Sequence, residues 1–380
     1  MKKLFSTIIC CLICSTAFMQ VKPEWQDETI PFVGKEYPRT AFMTYSNVDK
    51  ARSNDFNTSP DYKSLNGKWK FNWVPSYKKR PMNFYKTDFD DSAWGEIDVP
   101  ANWEVNGYGN ALYTNHPYEF CPRNPQPPLL PEENPVGSYR KYIEIPEQWN
   151  GKEIFLHIGA VKSGCYLYVN GTKVGYSEDS KTAVEYNITR YLKPGRNLIA
   201  LEVYRWSTGS YLECQDFWRI SGIERDVYLF AQSPVHLRDF SIRQDLDSTY
   251  KNGLFGLDLF LVNANPRQTA QATVSYQLES TSGTRVAEGT QTIKIDSIAT
   301  VHFDAKIAQV APWTAETPNL HQLFIRIEQP GKNPEIIPFR VGFRKLEIRG
   351  NQFLVNGRAV LIKGVNYHEH NEHTGHVLSE

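Results

Sequence analysis

The sequence carries no net charge: Lys and Arg together number 42, as do Asp and Glu. Without a net field to gather phosphates or anionic lipid, a nucleic-acid partner is excluded as a leading idea. Cysteine is scarce. Of six, Cys10, Cys11 and Cys14 fall in the first 14 residues, and Cys121, Cys165 and Cys214 stand far apart. An odd, widely spaced set describes neither a disulfide framework nor a metal cluster, so buried free thiols are expected. Long apolar runs are also missing. The one candidate, Leu4–Phe18, follows Met1-Lys2-Lys3 and is followed by Gln20, Lys22 and Glu24. It is shorter than the roughly 20 residues a bilayer span needs, and Ser15 and Ala17 are spaced as at a signal-peptidase site. Residues 1–17 therefore read as a signal peptide, and export to a periplasm or the exterior is expected, without membrane insertion after cleavage. A lipid anchor on Cys14 is the rival, disfavoured because Leu12-Ile13 lacks the small residue such processing prefers.

Helical periodicity is scarce as well, and what replaces it is strand punctuation. Between Leu65 and Phe230 turn signals recur every eight to twelve residues, as in an all-β sandwich or barrel. Tyr166–Val169, Asn170-Gly171 and Thr172–Tyr176 read as a hairpin whose Asn-Gly turn tolerates positive φ. After the turn Lys193–Arg196, a strand over Asn197–Trp206 puts Leu198, Ala200, Glu202 and Tyr204 on one face. Together these point to a jelly roll over 61–233, preceded by an extended segment over 18–60. The proline-rich stretch 124–131 belongs to a loop or an edge. Over 234–344, alternating runs such as Ala272–Leu278 and Leu323–Ile327 fit an immunoglobulin-like sandwich without its cysteine pair. From Lys345 a new unit begins. Leu346–Val355 and Arg358–Gly364 are expected to form a hairpin across Asn356-Gly357. Ala359–Ile362, apolar on both faces, reads like a parallel barrel strand. With no partner following it, 345–380 is expected to be the start of an incomplete barrel, and the chain the front part of a longer protein. The fold class expected is thus mostly β. Aromatics are plentiful, with 9 Trp, 21 Tyr and 20 Phe, and in a neutral chain their flat faces suit an uncharged ligand such as a sugar.

The stretch Trp206-Ser-Thr-Gly-Ser-Tyr-Leu-Glu-Cys-Gln-Asp-Phe-Trp-Arg-Ile-Ser-Gly-Ile-Glu-Arg-Asp226 resembles the large bacterial β-galactosidases of glycoside hydrolase family 2. The resemblance recurs at Leu65–Phe71, at Asn102-Trp103 with Gly107-Tyr108, at Tyr113-Thr-Asn115, at Asn134–Tyr139 and at Lys363–His370. It implies a jelly-roll sugar-binding domain, an immunoglobulin-like domain and the opening of a (β/α)8 barrel. It also implies that Asn115 holds a galactoside hydroxyl and that Asp216 contacts the galactose 6-hydroxyl and Na+. The alternatives are that Asn115 caps a turn and that Asp216 pairs with Arg219 or Arg225. His368, the first histidine of the Gly-Val-Asn-Tyr-His-Glu-His run, is implied to bond the sugar and steady the transition state.

Read alone, His368, His370, His373 and His376 raise the idea of a metal site. Their spacing is not that of His-Glu-x-x-His, however, because Glu372 stands where the second histidine belongs. Cys214 stands where relatives often carry an acidic residue, and Asn371–His373 departs from the usual loop. A retaining glycosidase needs two carboxyl groups about 5 to 5.5 Å apart. In this family both come from later barrel strands, as do the Mg2+ ligands, and Glu372, although preceded by Asn371, follows the wrong strand to be one of them. The expected function is the amino-terminal part of a secreted retaining β-galactosidase, inactive alone, with a β-galactoside as partner and a homo-oligomer left open. A non-catalytic galactoside-binding module and a related β-glucuronidase or β-mannosidase are the alternatives. A β-glucuronidase should present cations to its substrate's carboxylate.

Overall fold

A computed structural model describes residues 22–115, 117–213, 216 and 218–378. The signal-peptide assignment and Cys214 lie outside the described residues. Two large antiparallel sheets form the body of the first domain, with two minor ones of two and three strands beside them. The larger has seven strands in the spatial order Phe32–Val33, Thr172–Ser177, Gly164–Val169, Arg196–Tyr204, Val136–Glu144, Gly67–Val74 and Gly95–Val99. The smaller has four, in the order Val184–Asn187, Glu153–Ile158, Val227–Gln232 and Tyr62–Ser64. Trp69, Phe71, Leu167, Ile199, Leu201 and Val203 from one sheet meet Leu156, Ile158, Val227 and Leu229 from the other in one buried core. This is the jelly roll. The Asn170-Gly171 hairpin forms as the sequence requires, with φ of 49° and 87° and Val169 paired to Thr172.

The central strand Arg196–Tyr204 is buried on both faces rather than one. Its second face is covered by the segment preceding the domain together with a loop of the domain itself. Trp25 stacks on Tyr204 with ring centroids 4.7 Å apart, and Arg80 reaches Glu202 at 3.2 Å. That leading segment, expected to be extended, holds a short α-helix, Val48–Ser53, capped where the Asn47 side chain accepts from Lys50 N at 2.9 Å. It reaches the second domain too: Tyr45 and Ile336 exchange backbone hydrogen bonds of 2.8 and 2.9 Å.

The second domain packs a three-stranded sheet, Val235–Leu246, Gly253–Asn263 and Ile298–Ile307, on a four-stranded one, Arg285–Ile295, Ala270–Glu279, His321–Glu328 and Glu335–Val341. Phe255, Leu257, Leu259, Val274, Leu323 and Ile325 fill the space between them, giving the immunoglobulin-like sandwich.

The third unit differs from expectation in detail. Leu346–Val355 is not one strand. It breaks at Gly350-Asn351, both at positive φ, into Leu346–Arg349 and Gln352–Val355, which pair with each other. The turn at Asn356-Gly357 then forms a second hairpin to the two-residue strand Arg358–Ala359. Beyond it the barrel-strand pattern does not become a strand: Leu361, Ile362 and Val365 are 80%, 76% and 90% exposed. A parallel strand acquires hydrogen bonds only from neighbours brought back by crossovers, and among the described residues none is placed beside 361–367. Of the cysteines, Cys165 is buried, whereas Cys121, three residues before the proline-rich stretch, is only partly so.

Candidate functional site

The wall that carries the candidate residues is a two-stranded ladder, Leu112–Tyr113 against Trp218–Arg219, with Tyr113 opposite Trp218. Asn115 follows this ladder's first strand by two residues, and Asp216 precedes its second by two. Both residues are exposed. Asp216 pairs with neither nearby arginine. Arg219 faces Glu119, with Nε and Oε2 3.8 Å apart, and Arg225 Nη1 donates to the Lys181 carbonyl at 2.9 Å.

The ladder is fixed from behind by buried charge. Arg205 Nη2 donates to Asn110 O at 3.2 Å and to Arg219 O at 3.0 Å, joining the two strands. Its Nη1 lies 3.3 Å from Glu104 Oε1, and Glu104 Oε2 accepts from Ser221 N at 2.8 Å. Burial pushes the Glu104 carboxyl above its ordinary range, with Arg205 pulling the other way. The sequence motifs also hold one another. Asn134 Nδ2 donates to Trp206 O at 2.8 Å while Trp206 N donates to Asn134 Oδ1 at 3.1 Å, and Trp206 Nε1 donates to Glu119 Oε1 at 3.0 Å.

The histidine-rich segment arrives at the same place from the far end of the chain. The His370 ring lies 5.6 Å from that of Trp218, and His370 Nδ1 is 3.1 Å from His368 O. The structure therefore brings the His368–His370 segment to the Trp218 end of the ladder through His370. His368 lines a cavity of about 500 Å³ together with Lys181, Glu224, Arg225, Glu369 and His376. The four histidines diverge. His370 goes to Trp218 and His376 to Glu224, while His373 is exposed beside Glu372 at 3.6 Å. Among the described residues no group of three or more His, Cys, Asp or Glu converges as metal ligands would.

Sequence reasoning missed Glu224 and Arg205, and weighed His376 only as a metal ligand. Glu224 and Arg205 were visible inside or beside the long motif, but only their three-dimensional partners give them a role.

Among the described residues no helix is long and apolar enough to cross a membrane. The chain matches the sugar binding domain of Glycosyl hydrolases family 2 over residues 62–233, a second domain of that family over 235–344, and its TIM barrel domain over 346–380. It is 36% identical over 353 residues to a beta-galactosidase of Priestia megaterium, covering 91% of this chain and 34% of the relative. It is 38% identical over 320 residues to a beta-galactosidase of Halalkalibacterium halodurans, covering 83% and 31%. The chain thus spans about a third of the length of the curated relatives it matches. Among solved structures it is similar to a Bacteroides uniformis beta-glucuronidase with a TM-score of 0.70 at 21% identity, covering 84% of this chain and 36% of that one. With three consecutive domains matching in the family's order, the chain belongs to glycoside hydrolase family 2.

Proposed function

We propose that this chain supplies the sugar-recognising wall of a secreted, retaining β-galactosidase that hydrolyses terminal non-reducing β-D-galactose. The observation that supports the reading is the ladder itself: it pairs Tyr113 with Trp218, each two residues from a candidate, Asn115 and Asp216, and His370, two residues after His368, packs on Trp218. Asn115 and Asp216 offer amide and carboxylate oxygens to sugar hydroxyls, and Tyr113, 70% exposed, offers an aromatic face. Asp216, unpaired with either arginine, offers its carboxylate oxygens to hydroxyl donors and to Na+, a hard cation suited to oxygen. When bound, Na+ would supply a fixed positive charge to orient a hydroxyl. Mg2+, the acid/base and the nucleophile belong to the barrel strands that the family resemblance implies. His368 would donate to or accept from the sugar as charge develops at the anomeric carbon.

The fold likeness to beta-glucuronidases leaves a second substrate class to weigh, and the cations near His368 bear on it. Lys181 is engaged by Glu224, and Arg225 by a backbone carbonyl. Neither is held ready for a substrate carboxylate, which favours the galactoside. Secretion rests on the Lys-Lys start and the apolar run, and mass spectrometry of the exported protein, with or without Met1, tests it.

The site assignment is tested in the protein that carries this chain by comparing Asp216→Asn with Asp179→Asn. An amide keeps an acceptor but loses the charge, so Asp216→Asn should lower kcat/KM for galactosides by about 10-fold or more, and Asp179→Asn should not. Equal kcat/KM for the two variants refutes the role of Asp216.

A further inference from the structure

The segment 360–370 has no strand of its own, yet it is anchored to the first domain just downstream of His368. Asn371 and Gly375 exchange backbone hydrogen bonds of 2.8 Å, closing a turn. The residue after it enters the jelly roll. His376 N donates to Asn102 Oδ1 at 2.8 Å, and His376 Nδ1 meets Glu224 Oε1 at 2.8 Å, the two side chains being 4% and 2% exposed. Asn102 Nδ2 donates in turn to Glu224 Oε1 at 3.2 Å and to Ser221 O at 3.1 Å, and the Lys181 ammonium sits on Glu224 Oε2.

Gly375 is needed at this junction. A Cβ there would stand 2.6 Å from Asn102 Oδ1 and 2.7 Å from Ile220 Cδ1, at a φ of +67°. Burial alone would raise the Glu224 carboxyl, but the His376 hydrogen bond and the Lys181 charge outweigh it and hold the group at about 2. Glu224 is thus an anion with its partners in place, and a buried ion of this kind is costly unless every partner is present.

We propose that Glu224, His376 and Asn102 form a latch between the barrel opening and the sugar-binding domain, and that His376 is a positioning residue that holds the His368 segment at the Trp218 ladder. The geometry is a two-point clamp. His370 rests on Trp218 two residues after His368, and His376 is fixed six residues further on, so His368 has little freedom to swing away from the Trp218 ladder. The proposal rests on the galactoside reading of His368.

The test uses His376→Ala, His376→Gln and Glu224→Gln in the protein that carries this chain. Galactoside kinetics and hydrogen exchange are followed together. His376→Ala should lower kcat by about 10-fold or more with little change in KM, as displacement of a transition-state contact does. Exchange of 368–376 should speed up, while exchange of Arg196–Tyr204 stays as it was. His376→Gln, whose amide can still donate to Glu224, should recover most of the loss. Glu224→Gln keeps the acceptor, removes the charge and should fall between the two. Unchanged exchange of 368–376 in His376→Ala overturns the latch, and faster exchange with unchanged kcat overturns its role in positioning. Absence of galactoside turnover in the unmodified protein overturns instead the reading on which the latch rests.

Discussion

The backbone of Gly137 runs against the indole of Trp103 so closely that a Cβ there would stand 2.6 Å from the ring and 2.8 Å from Phe71. Gly137 faces Trp73 and Val203 in neighbouring strands of the large sheet. Trp103 is fully buried and donates its Nε1–H to the Tyr139 hydroxyl. The glycine of Asn134-Pro-Val-Gly-Ser-Tyr139 therefore makes room for the tryptophan of Asn102-Trp103. Gly137→Ala should destabilise the first domain by about 1–3 kcal/mol through overpacking. Denaturant unfolding followed by tryptophan fluorescence reads this, and an unchanged midpoint contradicts it.

A second prediction concerns acid. His236, 3% exposed at the domain junction, donates from Nδ1 to Ser233 O at 2.8 Å and packs edge-on to Phe155. Burial, helped by the charges of Arg238 and Arg39, lowers its pKa from 6.5 to about 4. Between those values the unfolded chain takes a proton that the folded one refuses, so stability falls as pH drops from 6.5 to 4 and the loss is complete below 4. The contribution is about 3 kcal/mol. Buried carboxylates titrate in the same range, so the readout is a difference. The thermal midpoint of His236→Gln should fall less from pH 7 to pH 4 than that of the unmodified chain, and parallel curves refute the assignment.

Much of this architecture was legible in the sequence, for a physical reason. Asn-Gly turns and period-two alternation are local signals, and at Asn170-Gly171 and Arg196–Tyr204 local chemistry decides the structure. Long-range cover was not legible. Nothing near Leu198, Ala200, Glu202 and Tyr204 announces that Trp25 and Arg80 close over that face, so one side reads as exposed. The same holds at the site. The motifs name Asn115, Asp216 and His368, but the partnership of Glu224 with a histidine 152 residues later is a tertiary event. Ala359–Ile362 shows the converse: its pattern is that of a buried strand, and strand geometry beyond Ala359 awaits hydrogen-bonding neighbours.

Those apolar residues give a third prediction. With Leu361, Ile362, Val365 and Tyr367 largely exposed, the 380-residue chain expressed alone should be poorly soluble and should improve when it ends near Arg344. It should also hydrolyse no nitrophenyl β-galactoside above background. Binding equal in ground and transition states does not raise turnover, and hydrolysis needs two facing carboxyl groups, whereas the Glu372 side chain is 81% exposed on a turn. Robust turnover that disappears in Glu372→Gln contradicts this.

The central claim is that this wall selects galactose. It is tested most directly by the kcat/KM of the protein that carries this chain on nitrophenyl β-galactoside, β-glucuronide and β-mannoside, measured with and without Na+. The account predicts that the galactoside is preferred by at least about 10-fold, that Na+ increases that preference, and that Asp216→Asn removes the increase. Preference for the glucuronide, unaffected by Asp216→Asn, would contradict it.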